Sequence, residues 1–187
     1  MERVKDLDTY EEKTVSGDTL YEGKIITLRV EEVELPDGKR ATRELIRHPG
    51  AVAILAITTE GKLVVVEQYR KALERSLIEI PAGKIDAGED PEVTAIRELE
   101  EETGYGAREF SYIQSFATSP GFADEVIHLY LARDLYPIEN PAAGDEDEFI
   151  NLMEVSIAEA EELMANGSIF DAKTAFAVLY AKNLLNT

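Results

Sequence analysis

Three carboxylates with helical spacing form the cluster of this sequence that is best suited to chemistry. Glu98, Glu101 and Glu102 stand at positions i, i+3 and i+4, so a helix would present all three on one face. Like charges at this spacing repel one another, and a solvated acidic face is the ordinary explanation. The alternative is a hard divalent cation, because Mg²⁺ is usually bound by a few carboxylates and keeps positions for substrate phosphate.

Composition narrows the chemistry that the chain can perform. The 187 residues include no cysteine and two histidines, which excludes thiol nucleophiles, cysteine-ligated metals and multi-histidine metal sites. Any metal must therefore bind oxygen, which leaves Mg²⁺, Mn²⁺ or Ca²⁺. Acidic residues outnumber basic ones by 38 to 19, for a net charge of −19. We expect no nucleic-acid partner, because such a surface repels phosphate backbones.

Length and hydropathy point to one compact domain in the cytoplasm. A chain of 187 residues can bury a sizeable core without disulfides. The N-terminal residues lack the apolar stretch of a signal peptide, and the longest apolar run, residues 51–57, is too short to cross a bilayer. We therefore expect a cytoplasmic protein with no membrane partner.

The helix that would carry the carboxylates is predicted over residues 91–103, since local features mark both ends. Asp90 is a suitable N-cap, Pro91 suits the first helical position and Gly104 suits the C-terminal cap. We expect the face opposite the carboxylates to pack on a sheet. Its residues are Val93, Ile96, Leu99 and Thr103.

Most of the other predicted elements are β-strands. Residues 25–35 and 41–46 flank Pro36-Asp37-Gly38-Lys39, which predicts a hairpin because Pro fixes φ and Gly supplies a positive φ. A second, more buried hairpin is predicted over residues 50–57 and 63–68. Further strands are predicted over 77–80, 110–119 and 126–132, a loop over 137–147, and helices over 157–165 and 172–185. The pattern indicates an α+β domain of residues 49–187, preceded by a β-rich extension of residues 1–48.

The carboxylate helix lies within a longer pattern of fixed spacing. Gly83 is followed by five residues, Glu89, seven residues and the run Arg97-Glu98-Leu99-Glu100-Glu101-Glu102-Thr103-Gly104-Tyr105. This pattern resembles the Nudix box, G-x5-E-x7-R-E-U-x-E-E-x-G-U with U aliphatic or aromatic, and every specified position is met. The resemblance identifies the chain as a member of the Nudix hydrolases, which cleave a nucleoside diphosphate linked to another moiety.

The resemblance implies a fold and a metal site. The fold is an α/β/α sandwich with a mixed sheet between helices, in which residues 83–105 hold divalent cations against a substrate diphosphate. Mg²⁺ is the expected cofactor, with Mn²⁺ as a possible substitute. The implied metal ligands are three glutamate side chains and one backbone carbonyl: Glu98, Glu101, Glu102 and Ala82.

Three further box residues have implied supporting roles. Arg97 would pair with a box glutamate and hold it in place, and Glu89 would support that arrangement. Gly83 would let the backbone turn tightly, which would leave the Ala82 carbonyl available. An ordinary surface ion pair is the alternative explanation for Arg97 and Glu89.

Features outside the box are similar to those of the ADP-ribose pyrophosphatase subgroup. They are the lead-in Glu79-Ile80-Pro81-Ala82-Gly83-Lys84 and Pro120, which lies sixteen residues beyond Gly104. The subgroup implies hydrolysis of ADP-ribose to AMP and ribose 5-phosphate. It also implies substrate contacts from Arg43, Arg70 and Glu125; the alternative is that each is an ordinary surface residue.

The acidic loop Gly144-Asp145-Glu146-Asp147-Glu148 supplies candidates for the base that deprotonates water. In the subgroup a loop glutamate serves as the base and another, two residues later, ligates metal, which implies Glu146 and Glu148 here. The alternatives are that the loop carboxylates are merely solvated, or that a box glutamate such as Glu101 is the base.

Rival functions and assemblies remain open. One rival is a Nudix activity on another nucleoside diphosphate sugar, NADH or a dinucleoside polyphosphate, and another is a non-catalytic ADP-ribose-binding module.

Residues 13–48 form a sheet too small to bury a core alone, so we expect a homodimer with a two-fold interface. The resemblance implies exchanged N-terminal sheets, with Arg43 reaching the neighbour's substrate. The alternative is a sheet folded back on its own domain.

Overall fold

The computed structural model describes residues 10–144 and 149–185, and it divides the chain into two compact units. The first unit contains the residues up to Pro49 together with Ala117–Glu125. The second contains Gly50–Phe116 and the residues from Val126 onward. Within the described ranges, no helix combines the length and apolar character needed to cross a bilayer.

The first unit is built on a three-stranded antiparallel sheet in the order β1-β2-β3. Its strands are β1 (Lys13–Glu22), β2 (Thr27–Glu34) and β3 (Arg40–Arg47). At the turn between β2 and β3, the Leu35 amide donates to the Lys39 carbonyl at 2.8 Å, and Gly38 adopts a left-handed φ of 81°. The predicted hairpin is therefore confirmed, and β1 extends the sheet by one strand.

The second unit contains a seven-stranded mixed sheet and three helices. Its elements are β4 (Ala51–Ile57), β5 (Leu63–Arg70), β6 (Arg75–Glu79), β7 (Ala82–Lys84), α1 (Pro91–Thr103), β8 (Tyr105–Ala117), β9 (Val126–Pro137), β10 (Ile150–Val155), α2 (Ile157–Ala165) and α3 (Ala172–Leu185). The main path is β10-β5-β4-β9-β8, with β6 beside β5 and β7 beside β4. The sheet is mixed because β4 pairs parallel with β9 and antiparallel with β5 and β7.

The central strand β4 is buried along its whole length, and its alternate residues enter two different cores. Val52 and Ile54 pack in the cluster that includes Ala95 and Leu99 of α1. The other set, which includes Leu55, packs in the cluster that contains residues of α2 and α3. Successive residues of a strand point to opposite faces, so helices cover both faces of the sheet. The expected sandwich is confirmed.

The largest differences from the sequence prediction concern four strands. Strand β8 begins five residues earlier than predicted, and β9 continues to Pro137, so residues 133–137 belong to a strand. Strands β7 and β10 were not predicted. β7 has only three residues, and β10 mixes apolar and polar residues, of which only one is buried. Neither segment therefore shows the continuous apolar run that predicts a buried strand.

Candidate active site

Helix α1 begins and ends at the predicted residues because its caps are local. The Asp90 carboxylate accepts a hydrogen bond from the Glu92 amide at 2.9 Å, and Pro91 occupies the first helical position. At the other end Gly104 adopts a left-handed φ of 70°, and its amide donates to the Glu100 carbonyl at 2.8 Å. The stretch that bears the box carboxylates is therefore a single helix with defined ends.

The buried face of α1 includes only part of the predicted one. Leu99 and Thr103 are buried as predicted, but Val93 and Ile96, which were also expected to pack on the sheet, are 55% and 49% exposed. Glu98 and Glu102 are only 9% and 7% exposed. Ala95 and Leu99 supply the apolar contact of the helix with the sheet, and they lie on the same side as these carboxylates. Helix α1 thus holds two of its three box glutamates against the protein, where their positions are fixed.

One guanidinium joins three of the box carboxylates. Arg97 Nη1 donates to Glu98 Oε1 at 2.9 Å and to Glu101 Oε2 at 2.8 Å. Arg97 Nη2 donates to Glu89 Oε2 at 3.2 Å, and Glu89 also accepts from the Thr94 hydroxyl at 2.8 Å. Arg97 thus contacts two box glutamates of the helix and Glu89, and the supporting roles predicted for Arg97 and Glu89 stay predictions. We call Arg97, Glu89, Glu98 and Glu101 the α1 cluster.

The charges of the α1 cluster stabilise one another. The hydrogen bond to Glu89, together with the charges of Glu98 and Glu101, raises the pKa of Arg97 against the opposing effect of burial. Hydrogen bonds from Arg97 and Thr94 lower the pKa of Glu89. One cation faces three carboxylates in this cluster, so it carries an excess of negative charge at neutral pH.

Strand β7 presents two backbone features to α1. The Ala82 amide donates to Glu102 Oε2 at 3.2 Å. At Gly83 an added Cβ would lie 1.9 Å from the carboxyl carbon of Glu98, so any larger residue would displace this carboxylate. The tight turn predicted at Gly83 is wrong, since the residue lies in a strand opposite Val52 and has no left-handed φ. Glycine is needed there for space.

The donor set of this region suits a hard divalent cation, although the side chains are arranged around Arg97. Glu98, Glu101 and Glu102 offer only oxygen donors, and glycine at position 83 leaves the space that the Glu98 carboxylate occupies. Among the described residues, no three acidic or histidine side chains are gathered closely enough to hold a metal ion. The carboxylate oxygens that would serve as ligands are the ones that now accept from Arg97 and the Ala82 amide.

Arg70, a predicted phosphate contact, lies at the end of β5 and pairs with Glu79 at the end of β6. Its Nε and Nη2 atoms donate to the two Glu79 carboxylate oxygens at 2.7 and 2.8 Å. Lys173 also donates to Glu79, so this glutamate joins two cations. The sequence predicted no role for Lys173, and Glu79 stood out only as the first residue of the lead-in that is similar to the subgroup. A further indication is that Glu79 is a lone charged residue in the apolar stretch Leu77-Ile78-Glu79-Ile80.

The remaining predicted residues lie in the first unit or outside the described residues. Arg43 Nε donates to Glu12 Oε2 at 2.7 Å, and Glu125 accepts from the Thr118 hydroxyl. Pro120 lies in an exposed turn, where the amide of Phe122 donates to the Ser119 carbonyl at 3.1 Å. The predicted loop base and loop ligand, Glu146 and Glu148, lie outside the described residues.

Comparisons with known proteins agree with this architecture. The chain is 55% identical to the "Methanol dehydrogenase activator" of Bacillus methanolicus, covering 91% of this chain and 92% of that protein. It is 52% identical to the "ADP-ribose pyrophosphatase" of Bacillus subtilis (strain 168), covering 93% and 94%. A crystal structure described as "ADP compounds hydrolase" superposes with a TM-score of 0.82 over 94% of this chain and 95% of that one; at 22% identity this likeness supports the fold.

Two family models divide the chain between them. The model described as "Nucleoside diphosphate sugar hydrolase N-terminal domain" matches residues 12–46, which include the three-stranded sheet. The model described as "NUDIX domain" matches residues 47–176, which is more than half of the chain and includes α1 with its box. The family is typically dependent on divalent metal. With this match, the chain belongs to the Nudix hydrolase family.

Proposed function

We propose that this protein hydrolyses the diphosphate of ADP-ribose, giving AMP and ribose 5-phosphate. The observation that carries the proposal is the α1 cluster, in which three carboxylates share one guanidinium beside a glycine that leaves room for them. The 52% identity to an ADP-ribose pyrophosphatase over nearly the whole chain supports this choice of substrate. A nucleoside diphosphate sugar is also the substrate class that the N-terminal family description names.

The cofactor we propose is Mg²⁺, with Mn²⁺ able to replace it. Glu98, Glu101, Glu102 and the Ala82 carbonyl would hold the cation, because all of them are oxygen donors on or beside α1. When bound, such a cation neutralises diphosphate charge and makes water easier to deprotonate.

The residues of the chain itself act mainly by positioning. Arg97 holds Glu98 and Glu101 in fixed orientations, and Glu89 fixes Arg97 in turn. Fixed carboxylates need little reorganisation when the substrate charge changes during the reaction. Diphosphate hydrolysis depends chiefly on positioning and charge neutralisation, so an ordered carboxylate face is what the reaction requires.

Proton removal from the attacking water is assigned to the acidic loop. We propose Glu146 as the base and Glu148 as a further metal ligand, with Glu101 as the alternative base. Glu146→Gln should lower kcat while leaving substrate and metal binding nearly intact, since only proton transfer is removed. Glu148→Gln should weaken metal binding, so that activity requires a higher concentration of Mg²⁺. If both variants have wild-type kinetics, the loop assignment is wrong and a box glutamate such as Glu101 is the base.

The proposed substrate contacts are Arg70, Arg43 and Glu125.

The N-terminal extension of residues 1–48 is proposed to mediate a homodimer. The exposed apolar residues of β1, among them Val15 and Leu20, are consistent with a sheet that needs a partner surface. Light scattering should give twice the monomer mass. Mixed Arg43→Ala and Glu102→Gln subunits should regain activity if Arg43 acts on the neighbour's substrate; a monomer, or no rescue, would contradict the shared site.

The substrate assignment is tested by a turnover assay across a panel of diphosphates with identification of the products. ADP-ribose should yield AMP and ribose 5-phosphate, with activity lost in EDTA and restored by Mg²⁺ or Mn²⁺. If another nucleoside diphosphate derivative is hydrolysed well while ADP-ribose yields no AMP, the substrate assignment is wrong. Binding of ADP-ribose without turnover of any compound would favour a non-catalytic binding module.

A second candidate function follows from the relative in Bacillus methanolicus, which is 55% identical and is named as an activator of methanol dehydrogenase. This chain would then stimulate a dehydrogenase. Assays of a purified methanol dehydrogenase with wild-type protein and with Glu102→Gln would test this role. Stimulation by both proteins would indicate activation that does not need the hydrolytic site.

A further inference from the structure

A second charge cluster lies where strands β5 and β6 end and helix α3 begins. We call it the Glu79 cluster, and it consists of Glu79, Arg70, Lys173 and Asp171. Glu79 accepts from Arg70 at both carboxylate oxygens and from Lys173, and its side chain is only 3% exposed. Lys173 also donates to Asp171 Oδ1 at 2.9 Å, and the same oxygen accepts from the Thr174 amide at 3.0 Å at the start of α3.

The segment of residues 79–83 connects this cluster with the carboxylates of α1. At one end Glu79 binds Lys173, and the Ile80 amide donates to the Thr174 hydroxyl at 3.0 Å. At the other end the Ala82 amide donates to Glu102, and Gly83 lies against Glu98. Between them the Pro81 carbonyl accepts from the Ile54 amide at 2.8 Å. A displacement of side chains at the start of α3 can therefore be transmitted to Glu98 and Glu102 through the five residues of this segment.

Arg70 lies in the field of its own cluster and of Glu102 on α1. Its hydrogen bond to Glu79 and the charges of Glu79, Glu102 and Asp171 raise its pKa against the effect of burial. The bidentate contact with Glu79 uses Nε and Nη2, so Nη1 is the nitrogen left to meet a substrate phosphate. Lys173 binds the same Glu79 carboxylate and is itself held by Asp171, so it fixes the carboxylate that orients the Arg70 guanidinium.

We propose that Lys173 is a positioning residue for diphosphate binding: through Glu79 it orients the Arg70 guanidinium and holds the 79–83 segment against the α1 carboxylates. Lys173 is ninety-four residues from Glu79 in sequence and does not belong to the box. This inference rests on the proposed diphosphate hydrolysis and adds a residue of α3 to the machinery that binds the substrate.

The test is a double-mutant cycle between Lys173 and Arg70, measured with the diphosphate that the wild-type protein hydrolyses fastest. Lys173→Met removes the charge and keeps the length of the side chain. It should lower kcat/KM about 10–100-fold, the usual effect of losing an outer-shell partner, chiefly through a higher KM. Lys173→Arg should restore most of the loss. In an Arg70→Met background the same Lys173→Met change should cost little more, because Lys173 acts through Arg70.

Two controls separate positioning from folding. Lys182→Met removes a lysine of the same helix that pairs with Glu161 near the surface, and it should leave kcat/KM unchanged. If Lys173→Met does not fold, the Glu79→Gln/Lys173→Met double variant removes one carboxylate and one cation, so that the net charge of the cluster stays balanced; it should raise KM in the same way. Thermal melting of each variant confirms that the folded protein is being compared.

An NMR measurement gives a readout that does not need turnover. The Arg70 Nε–H signal should shift between wild type and Lys173→Met and stay in place in Lys182→Met. An unmoved Arg70 signal, additive losses in the cycle, or a Lys173→Met variant with wild-type KM would each overturn the proposal. If the wild-type protein hydrolyses no diphosphate, the proposed function fails, and the NMR comparison decides the positioning of Arg70 separately.

Discussion

The α1 cluster and the Glu79 cluster both join acidic and basic side chains from several elements, but they differ in charge balance. In the α1 cluster one cation, Arg97, meets three carboxylates. In the Glu79 cluster two cations, Arg70 and Lys173, meet the carboxylates of Glu79 and Asp171. The first therefore carries two excess negative charges, and the second is balanced.

This difference indicates what each cluster is for. Excess like charge on one helix face works against folding, so its presence on a partly exposed face is best explained by an external cation. A balanced cluster around a carboxylate that is almost completely buried needs nothing further and can serve as a rigid support. We expect substitutions in the α1 cluster region to affect catalysis more than stability, and those at Glu79 to affect stability strongly.

The largest effect is expected from Glu102→Gln. Removing one carboxylate of the α1 face should lower kcat roughly 10³-fold, because the substrate charge loses its counter-ion in the transition state. Stability should hold or rise, since repulsion on the helix is relieved and the glutamine oxygen can still accept from the Ala82 amide. Glu100→Gln on the same helix is the matched control and should retain activity. A Glu102→Gln protein that melts far below wild type would show that the carboxylate is structural.

A smaller loss is expected from Gly83→Ala. The added methyl group would lie within bonding distance of the Glu98 carboxyl, so this side chain must leave its position beside Arg97. We expect activity and metal affinity to fall about 10–100-fold, with little change in melting temperature because the displaced group is the end of a side chain. Steady-state kinetics at several Mg²⁺ concentrations would measure this effect, and wild-type kinetics would show that the position of Glu98 is unimportant.

The loss of folding stability at acid pH should distinguish the Glu79 cluster from the α1 cluster. Burial alone would raise the pKa of Glu79, but Arg70 and Lys173 lower it to about 2 from 4.5. A lowered folded-state pKa contributes stability above about pH 4.5, and this contribution is lost as the pH falls toward 2. Glu79→Gln should cost about 3 kcal/mol at pH 7, since it deprives the largely buried Lys173 and the partly exposed Arg70 of the carboxylate that they share. The difference from wild type should shrink below pH 4.5 in denaturant unfolding; a constant difference would contradict the assigned pKa.

Local signals were enough to predict the position of α1 but not its orientation. Asp90, Pro91 and Gly104 fix the ends of the helix through contacts within a few residues, so its bounds were correct. Of the four residues predicted to be buried, Leu99 and Thr103 are buried, but Val93 and Ile96 are exposed. A prediction from hydrophobic periodicity places charged side chains in water. Here two carboxylates face inward because Arg97 and the Ala82 amide donate hydrogen bonds to them.

Long-range contacts were beyond sequence reasoning. The resemblance to the box implied that Arg97 would pair with a box glutamate and that Glu89 would support this pair, and all of these residues lie in one short segment. Nothing local indicates that Lys173 meets Glu79, since only the packing of α3 against the sheet brings them together. Strand β10 was missed for a related reason, because its pairing with β5 holds a segment that is mostly not buried.

Whether the carboxylates of α1 form a divalent-cation site can be measured as Mn²⁺ binding, by electron paramagnetic resonance of the free ion. The wild-type protein should bind Mn²⁺, and Mg²⁺ should displace it. Glu102→Gln should weaken binding at least about tenfold, while Glu100→Gln should bind as wild type does. Equal binding by wild type and Glu102→Gln, or no binding by the wild-type protein, would contradict the account.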